Sequence, residues 1–285
     1  MKKKKEYGFI SKKDSNYKLL KKDRLFFRSR GLTELQERFD ENIKEHIMTL
    51  SKKQKTARIL EIGFGEGKAL LEMMNLSDNI ICYGINDKKR PTLSSANDVV
   101  NNAKKFDISV RTTPKIFFYD AGNGLKFPKE YFDIVISQVA IHYVGNKAKL
   151  IEDVWRVLKK GGSAFLHVDS KLSGEEPELM YQCADSPRWI VYDGKYSDNK
   201  IIPMKEIFSN KRKKGFDITY TARTDKKRNR TILIHKNTSK QLKLNLEYDG
   251  NSTIYLNTLR NTDEYKFDTA IWWGTRSVYR LKNKM

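Results

Sequence analysis

The sequence predicts an α/β fold: a doubly wound, mostly parallel sheet with a terminal antiparallel hairpin and a β-rich C-terminal extension. Short, continuously apolar segments alternate with segments of helical apolar spacing, which is typical of a parallel sheet covered by helices on both faces. A turn containing Gly63, Gly65 and Gly67 follows the first of these apolar segments. Beyond Asp169 the alternation of strands and helices stops, and strand-like segments of period two take its place.

The elements of the central part follow from their apolar patterns. Continuous apolar runs predict strands, and apolar residues three and four positions apart predict helices. In chain order we expect a helix over 33–50, a polar linker over 51–56, strands over 57–62, 80–85, 115–119, 132–138 and 163–168, and helices over 68–74, 94–104 and 147–158. Gly161 and Gly162 are expected to end the last helix.

The last third of the chain is predicted to be mostly β. Segments 216–221 and 230–235 flank a basic turn, so we expect an antiparallel hairpin that completes the sheet. A second hairpin is expected around the turn pair Asp249-Gly250. These patterns divide the chain into a basic N-terminal extension with a helix (1–56), a central α/β domain (57–236) and a β-rich basic extension (237–285).

The positive charge of the chain is concentrated in its flanks. The net charge is +21, of which 1–58 carries +10, 59–170 carries +2 and 171–285 carries +9. Basic flanks attract RNA or another polyanion through phosphate contacts. A lysine-rich genomic composition with solvated side chains explains the same charge, and both explanations stay open.

Composition also predicts a compartment and excludes some partners. No apolar run reaches the length of a membrane span, and the basic N-terminus lacks the apolar segment of a signal peptide. Cys82 and Cys183 lack metal-binding spacing, so we expect free thiols, no bound metal and a reducing, cytoplasmic compartment. The oligomeric state is not indicated.

The glycine turn is the strongest functional signal. A dinucleotide-binding turn needs G-x-G-x-x-G and a P-loop needs G-x-x-x-x-G-K-[ST], whereas this turn reads G-x-G-x-G. Glu61, just before the glycines, would repel a phosphate and would attract a cationic amino-acid tail. The turn therefore points to S-adenosylmethionine (SAM), with a glycine-rich turn that binds no ligand as the alternative.

Over 56–168 the chain resembles the class I SAM-dependent methyltransferases, which have a Rossmann-like fold. The segment 61–67 resembles their first motif, at the methionine end of the cofactor. The segment 83–87 resembles the second, although the family places an acid at the position of Asn86; the resemblance implies that Asn86 or Asp87 holds the ribose. Tyr119-Asp120-Ala121 resembles the third, where an acid holds the adenine amino group. The implied cofactor-binding residues are Glu61, Gly63, Phe64, Gly65, Gly67, Asn86, Asp87, Asp120, Ala121 and Gln138.

The residues after the fourth strand are expected to line the methyl-acceptor pocket. His142 is a candidate base or a partly buried structural histidine, and Tyr143 is a candidate to stack on a planar substrate. This segment is locally similar to messenger-RNA cap guanine methyltransferases. The glycine turn departs from theirs, because Lys68-Ala69-Leu70 stands where they usually continue as Lys-Gly-Gly-Asp.

Three functions follow as hypotheses. The first and favoured one is a SAM-dependent RNA methyltransferase whose basic flanks hold the phosphate backbone. The second is a small-molecule methyltransferase with an apolar lid from the segment Phe26-Phe27 to Phe39. The third is a non-catalytic methyltransferase-like binding or assembly factor. This hypothesis rests on Asn86, which stands where the family places an acid. Trp272-Trp273 either packs the tail against the sheet or stacks on bases, and we favour packing.

Overall fold

The computed structural model describes residues 30–87, 95–170, 189–193, 201–222, 229–257 and 271–282. Within these ranges the helices are α1 (Leu32–Phe39), α2 (Ile43–Lys53), α3 (Lys68–Met74), α4 (Ala96–Lys105), α5 (Lys147–Val157) and α6 (Met204–Lys213). The strands are β1 (Ala57–Ile62), β2 (Ile80–Asn86), β3 (Lys115–Phe118), β4 (Phe132–Ser137), β5 (Leu158–Ser170), β6 (Trp189–Tyr192), β7 (Ile218–Ala222), β8 (Asn229–His235), β9 (Leu246–Asn257) and β10 (Ile271–Leu281). Two short 3₁₀ turns span Ala121–Asn123 and Ile141–Tyr143.

The main sheet has seven strands in the order β3-β2-β1-β4-β5-β8-β7. Strands β1 to β5 run parallel, and β8 runs antiparallel to both β5 and β7, so the expected α/β fold and its terminal hairpin are confirmed. The strand order reverses between β1 and β4, which are paired at Ile59↔Ile134. In open α/β sheets a ligand crevice forms beyond the carboxyl ends of the strands at such a reversal.

Helices cover both faces of this sheet, because its central strands are apolar on both sides. All six residues of β4 are buried, and alternate residues of β1 enter opposite cores. Leu60 lies in the core that α5 and α6 cover, and Ile59 lies in the core that α1 to α4 cover. Burying one such side chain contributes about 1.5–3 kcal/mol, so the centre of the sheet is a stable platform for its edges.

The helix expected over 33–50 is two helices, and the single-helix prediction is wrong. The first ends at Asp40, whose φ of 59° is left-handed, and Asn42 caps the second by accepting a hydrogen bond from the Glu45 amide. Both helices bury their apolar residues in the same core, including Leu35 and Ile47. The helical spacing therefore continues across a break that the apolar pattern does not reveal.

Helix α5 ends at Val157, so the prediction that glycines end it is wrong. Strand β5 begins at the next residue, and the register between β4 and β5 shifts before Ser163. Gly161 has a φ of +83°, and a Cβ on Gly162 would lie 2.8 Å from the Asp133 carbonyl oxygen. The two glycines therefore form an irregularity inside the strand, where the backbone bends close to β4.

A second, three-stranded sheet has the order β6-β10-β9. Strand β9 passes through Asp249-Gly250 without turning, so the hairpin predicted there is wrong. The ladder with β10 shifts at this point, because Gly250 pairs with Val278 while Tyr248 pairs with Tyr279. Asp249 is thus the extra residue of a bulge, a feature in which glycine also commonly takes part.

The second sheet is hydrogen-bonded to the segment that leads into α5. Lys147 is fully buried, and its Nζ donates to the Val144 carbonyl at 2.8 Å and to Ser277 Oγ at 2.7 Å. The Ala148 amide donates to the Tyr279 hydroxyl at 3.1 Å. Since β6 pairs with β10, this sheet joins strands from both sides of the predicted domain boundary at 236/237. That boundary stays a prediction.

Several expectations fall outside what the described residues test. Cys183, Phe26-Phe27 and the basic turn at 223–228 lie outside them, and for Trp272-Trp273 the backbone alone is described, in β10. Cys82 is a buried free thiol. No helix in the described ranges is long and apolar enough to cross a membrane. No group of metal-ligating side chains occurs among those same residues.

Candidate functional site

A cleft opens at the carboxyl ends of β1, β2 and β4, where the strand order reverses. The space between its lining atoms, including solvent at its open mouth, is about 460 Å³. Its lining residues come from the ends of these strands and the segments after them: Ile62, Gly63, Ile85, Asn86, Asp87, Tyr119, Asp120, Ala121, Ala140, Tyr143 and Val144. Five of these, Gly63, Asn86, Asp87, Asp120 and Ala121, are among the cofactor residues that the sequence predicts.

The glycine turn between β1 and α3 borders the cleft, and Gly63 is its residue in the lining. Gly63, Gly65 and Gly67 all have positive φ, at +76°, +58° and +89°. A Cβ on Gly63 would overlap with Ala140 Cβ, so no larger residue fits without moving the turn. The predicted residue Phe64 is buried, and its ring packs edge-on against Phe118. Its side chain anchors the turn in the core, so that only its backbone remains to face a ligand.

Glu61 lies at the end of β1 and is only 2% exposed. Its Oε2 atom has no hydrogen-bond partner among the described residues. Burial, and secondarily the charge of Glu72, raises the pKa of this carboxyl from 4.5 to about 8. Glu61 is therefore mostly protonated at neutral pH, and a cationic ligand beside it would favour the ionised form.

The contacts of Asn86, at the end of β2, explain why an amide stands where the family has an acid. Its Nδ2 donates to the carbonyl oxygen of Gly65 at 3.2 Å, a bond that a carboxylate could not make. The side chain is 3% exposed, and its Oδ1 is buried without a partner in the described part of the chain. Asn86 thus holds the glycine turn with one atom and presents an unsatisfied acceptor with the other. Asp87 follows it in the cleft wall.

Gln138 joins β4 to the N-terminus of α1. Its Nε2 donates to the Gly31 carbonyl at 3.4 Å, and its buried Oε1 lacks a partner within the described ranges. On the other side of this helix start, the Leu32 amide donates to Glu72 Oε2 on α3. The sequence does not indicate the contribution of α1, because these contacts join residues 40 and 107 positions apart.

Asp120 and Ala121 lie where the implied adenine end would be. Asp120 is exposed, and its Oδ1 accepts a hydrogen bond from the Gly122 amide at 2.8 Å, which fixes the side chain at the start of a 3₁₀ turn. Ala121 is buried in the cleft wall. Tyr119, which the sequence patterns did not assign to the site, lines the cleft beside them. Its position directly before Asp120 is the signal that could have identified it.

On the acceptor side, the structure separates the two candidate catalytic residues. Tyr143 lines the cleft, whereas His142 is 6% exposed and is absent from the lining. The two rings are in contact, with centroids 4.1 Å apart. This placement favours Tyr143 as the residue that contacts an acceptor and favours a structural role for His142. Both roles stay predictions.

The chemistry of the site fits SAM. Glu61, Asn86 and Gln138 each present a buried side-chain oxygen that lacks a hydrogen-bond donor among the described residues. Asn86 is the one of these three residues that also lines the cleft, and an unsatisfied buried acceptor there costs about 1–3 kcal/mol, which a ligand that brings a donor would offset. SAM brings an ammonium group and two ribose hydroxyls, whereas a phosphate group would add only further acceptors.

A family comparison matches the central part of the chain. Residues 60–166 match the family model described as "Methyltransferase domain". Over this segment the chain therefore carries a methyltransferase domain, for which SAM is the methyl donor. The matched segment contains every cofactor residue named above and most of the run from β1 to β5.

Individual relatives match different shares of the chain. The 27-O-demethylrifamycin SV methyltransferase of Amycolatopsis mediterranei (strain S699) is 30% identical over 105 residues, which are 37% of this chain and 36% of that protein. The match thus spans about a third of the relative's length. A solved structure of a candidate SAM-dependent methyltransferase from Methanococcus maripaludis is 15% identical, with a TM-score of 0.46, over 82% of this chain and 100% of that one. Phosphoethanolamine N-methyltransferase 2 of Haemonchus contortus is 21% identical, with a TM-score of 0.40, over 64% and 39%.

Proposed function

We propose that this protein transfers a methyl group from SAM to an RNA acceptor. The observation that carries the cofactor half of the proposal is the set of buried oxygens on Glu61, Asn86 and Gln138 that lack donors within the described structure. The methyltransferase domain supports the reaction type. The charge of the flanks, +10 over 1–58 and +9 over 171–285, supports an acceptor that is a polyanion.

The residues around the cleft have separate tasks in this proposal. Glu61 holds the ammonium group at the methionine end, Asn86 or Asp87 holds the ribose hydroxyls, and Asp120 holds the adenine amino group. When bound, SAM supplies an activated methyl group on a sulfonium, and transfer is an in-line displacement at that carbon. Catalysis then depends on positioning and on the exclusion of water. Tyr143 stacks on the acceptor base at the open side of the cleft.

The local similarity around His142-Tyr143 suggests one kind of RNA acceptor, the guanine of a messenger-RNA cap. The structure supports an acceptor-facing position for Tyr143, which lines the cleft. The glycine turn lacks the continuation that is usual in cap enzymes, since Lys68 is followed by Ala69. We therefore propose RNA as the acceptor class and keep the cap as its minor variant.

A small-molecule acceptor is the second candidate function. The Amycolatopsis relative favours it, because the name of that enzyme describes methylation of a small molecule. The apolar lid expected for this function gains no support from Phe39, whose ring packs edge-on against Phe165 in the core at 5.8 Å. A non-catalytic binding or assembly factor is the third candidate, and it would leave the methyl group on the cofactor.

The proposed compartment is the cytoplasm. Cys82 is a free thiol in the core. A thiol kept reduced is typical of proteins in reducing compartments.

The test is the transfer of labelled methyl from SAM by the full-length protein. RNA, protein and small-metabolite fractions of one cell extract are incubated separately, with the Gly63→Arg variant as the inactive control. The proposal predicts label in RNA that is lost in the variant and decreases steeply with salt. Label only in small metabolites would favour the second candidate, and SAM binding without any transfer would favour the third.

A further inference from the structure

We propose that the amino edge of the main sheet, opposite the cleft, is a docking surface for the phosphate backbone of single-stranded RNA. This inference rests on RNA as the acceptor in the proposed function. We call this surface the basic edge. It is formed by six exposed cations on the segments that surround the starts of β4, β5 and β7: Lys129, Lys160, Arg212, Lys213, Lys214 and Lys240.

Backbone hydrogen bonds bring these segments together. The Gly161 amide donates to the Lys236 carbonyl at 2.8 Å, and the Lys236 amide donates to the Gly162 carbonyl at 2.8 Å. The neighbouring Asn237 donates from Nδ2 to the Gly215 carbonyl at 3.0 Å. Because Lys160 directly precedes Gly161 and Lys214 directly precedes Gly215, the two lysines lie on one continuous surface.

The other cations are joined to the same surface by side-chain contacts. The Lys240 carbonyl accepts a hydrogen bond from Trp155 Nε1 at 2.8 Å, and Trp155 packs against Phe216, just after Lys214. Lys129 precedes Glu130, whose carboxylate lies 3.3 Å from the Lys236 ammonium. The basic edge thus spans segments that are distant in the sequence.

The positive charges at this edge repel one another. Burial, followed by the charge of Lys214, lowers the pKa of Lys211 against the opposing charge of Glu152. Burial also lowers the pKa of Lys236, and Lys129 contributes in the same direction against the opposing effect of Glu130. Repulsion of this kind costs stability, and a bound polyanion would remove it.

The acids nearby do not neutralise the edge. Asp133 is buried and is already paired, because it lies 2.7 Å from the Lys159 ammonium. Glu130 is shared between two lysines, since its carboxylate lies 3.3 Å from the Lys236 ammonium and 3.9 Å from the Lys129 ammonium. Asp217 is the exposed acid between α6 and β7. The six cations of the basic edge therefore exceed the carboxylates that could balance them.

The helix dipole explains part of this charge but not all of it. Arg212 and Lys213 lie in the last turn of α6, where cations are stabilised by the helix dipole. Lys160 lies in a strand, and Lys129 and Lys240 lie in loops. The convergence of strand and loop lysines on this surface has no such local explanation.

One observation favours RNA over a membrane as the occupant of the basic edge, and a second shows that the basic edge is separate from the cleft. The one large apolar side chain exposed in the described ranges is Phe117, on β3 at the far side of the sheet, so the basic edge offers no apolar group to a bilayer. Strand β1 runs for 6 residues, or about 20 Å, from this edge to the cleft. RNA held here is anchored away from the reacting atoms.

The test compares two triple variants of the full-length protein with the same change in net charge. The first is Lys160→Gln, Lys213→Gln, Lys214→Gln on the basic edge. The second is Lys44→Gln, Lys104→Gln, Lys149→Gln, which removes three exposed lysines from three other helices. Binding of a fluorescent 20-nucleotide oligo(U) is measured by anisotropy across a salt series. Each cation that contacts a phosphate contributes about 0.7 to the salt slope, so the basic-edge variant should lose about 2 units of slope and bind roughly tenfold more weakly.

The dispersed variant should keep nearly the wild-type slope. Equal loss in both variants would assign binding to net charge and would overturn the docking surface, as would wild-type protein that does not bind the oligonucleotide. Tighter binding to phosphatidylserine vesicles, with the same dependence on the basic edge, would assign the surface to a membrane. SAM affinity, measured in parallel by calorimetry, should be unchanged in both variants. If the wild-type protein does not bind SAM, that result would instead contradict the proposed function.

Discussion

Buried carboxyl groups at the two edges of the main sheet differ in their hydrogen-bond partners. At the amino edge, Asp133 is 2% exposed and fully engaged, accepting from the Arg58 amide at 2.8 Å and from the Lys159 ammonium at 2.7 and 2.8 Å. At the carboxyl edge, Glu61 is equally buried, and one of its oxygens has no donor among the described residues. The same residue class therefore serves folding at one edge and is available to a ligand at the other.

The glycines show the same contrast. Gly63 at the carboxyl edge has a positive φ and almost no room for a Cβ, whereas Gly161 at the amino edge has a positive φ and open space around it. A backbone conformation that favours glycine therefore occurs at both edges. Of these two glycines, only Gly63, beside the cleft, is also closely approached by other atoms.

The largest effect is expected from Gly63→Arg. The new side chain would enter the space of Ala140, since even a Cβ on residue 63 would overlap with Ala140 Cβ. Overpacking of this kind costs up to about 3 kcal/mol, so SAM affinity should fall by up to roughly 150-fold, measured by calorimetry, while circular dichroism shows a folded protein. Gly161→Ala is the control, because it imposes similar backbone strain at the amino edge and should leave SAM affinity unchanged. Unchanged affinity in Gly63→Arg would refute the assignment of the cleft.

Removing the engaged carboxylate should affect stability instead of binding. Asp133→Ala leaves the Lys159 ammonium and the Arg58 amide without their acceptor. Breaking a buried, hydrogen-bonded ion pair from one side costs about 3 kcal/mol, and the free energy of unfolding in urea should fall by that amount. SAM affinity per folded molecule should not change. A large loss of affinity would show that the two edges are not separate in function.

The protonation of Glu61 gives a pH test. Between its usual pKa of 4.5 and about 8, the folded protein binds a proton that the unfolded chain has released, so stability should decrease as the pH rises through this window. The melting temperature of the cofactor-free protein should therefore fall with pH, and SAM affinity should rise as Glu61 ionises. Glu61→Gln should weaken both dependences. Identical pH profiles for the variant and the wild type would exclude this role.

The smallest effect is expected from Asn86→Asp. This change installs the acid that is usual in the family but replaces the donor to the Gly65 carbonyl with a second acceptor. Losing that bond costs about 1 kcal/mol, so SAM should bind about fivefold more weakly. Asn86→Ser, which keeps a short donor and acceptor, is the comparison. Tighter binding by Asn86→Asp would show that the ribose contact outweighs the support of the turn.

The sequence predicts the central elements well because their patterns are local. Strand β1 and helix α3 have the predicted bounds, since a continuous apolar run and a glycine turn define them without outside help. The break at Asp40 and the bulge at Asp249 do not follow from the sequence, because each residue type also fits the predicted alternative. Local pattern does not distinguish a turn from a bulge when the partner strand decides.

The sequence located part of the cleft lining, namely five of the ten predicted cofactor residues. Asn86, Asp87 and Asp120 reach the cleft because strand ends converge at one edge of a parallel sheet. The donor role of Asn86 and the contact between Gln138 and Gly31 depend on atoms far apart in the sequence. The basic edge likewise depends on tertiary contacts, because its lysines are scattered through the sequence. Sequence patterns could locate these residues but could not predict which of them contact one another.

The assignment of the carboxyl edge as a SAM site can be tested in a single binding experiment. The measurement is isothermal titration calorimetry of the full-length protein with SAM, ATP and NAD under one set of conditions. We predict saturable binding of SAM with a stoichiometry near one, and no binding of ATP or NAD in the same range, because the cleft offers acceptors and a carboxyl group where a phosphate would lie. Absence of SAM binding, or binding of ATP or NAD as tight as that of SAM, would contradict the assignment.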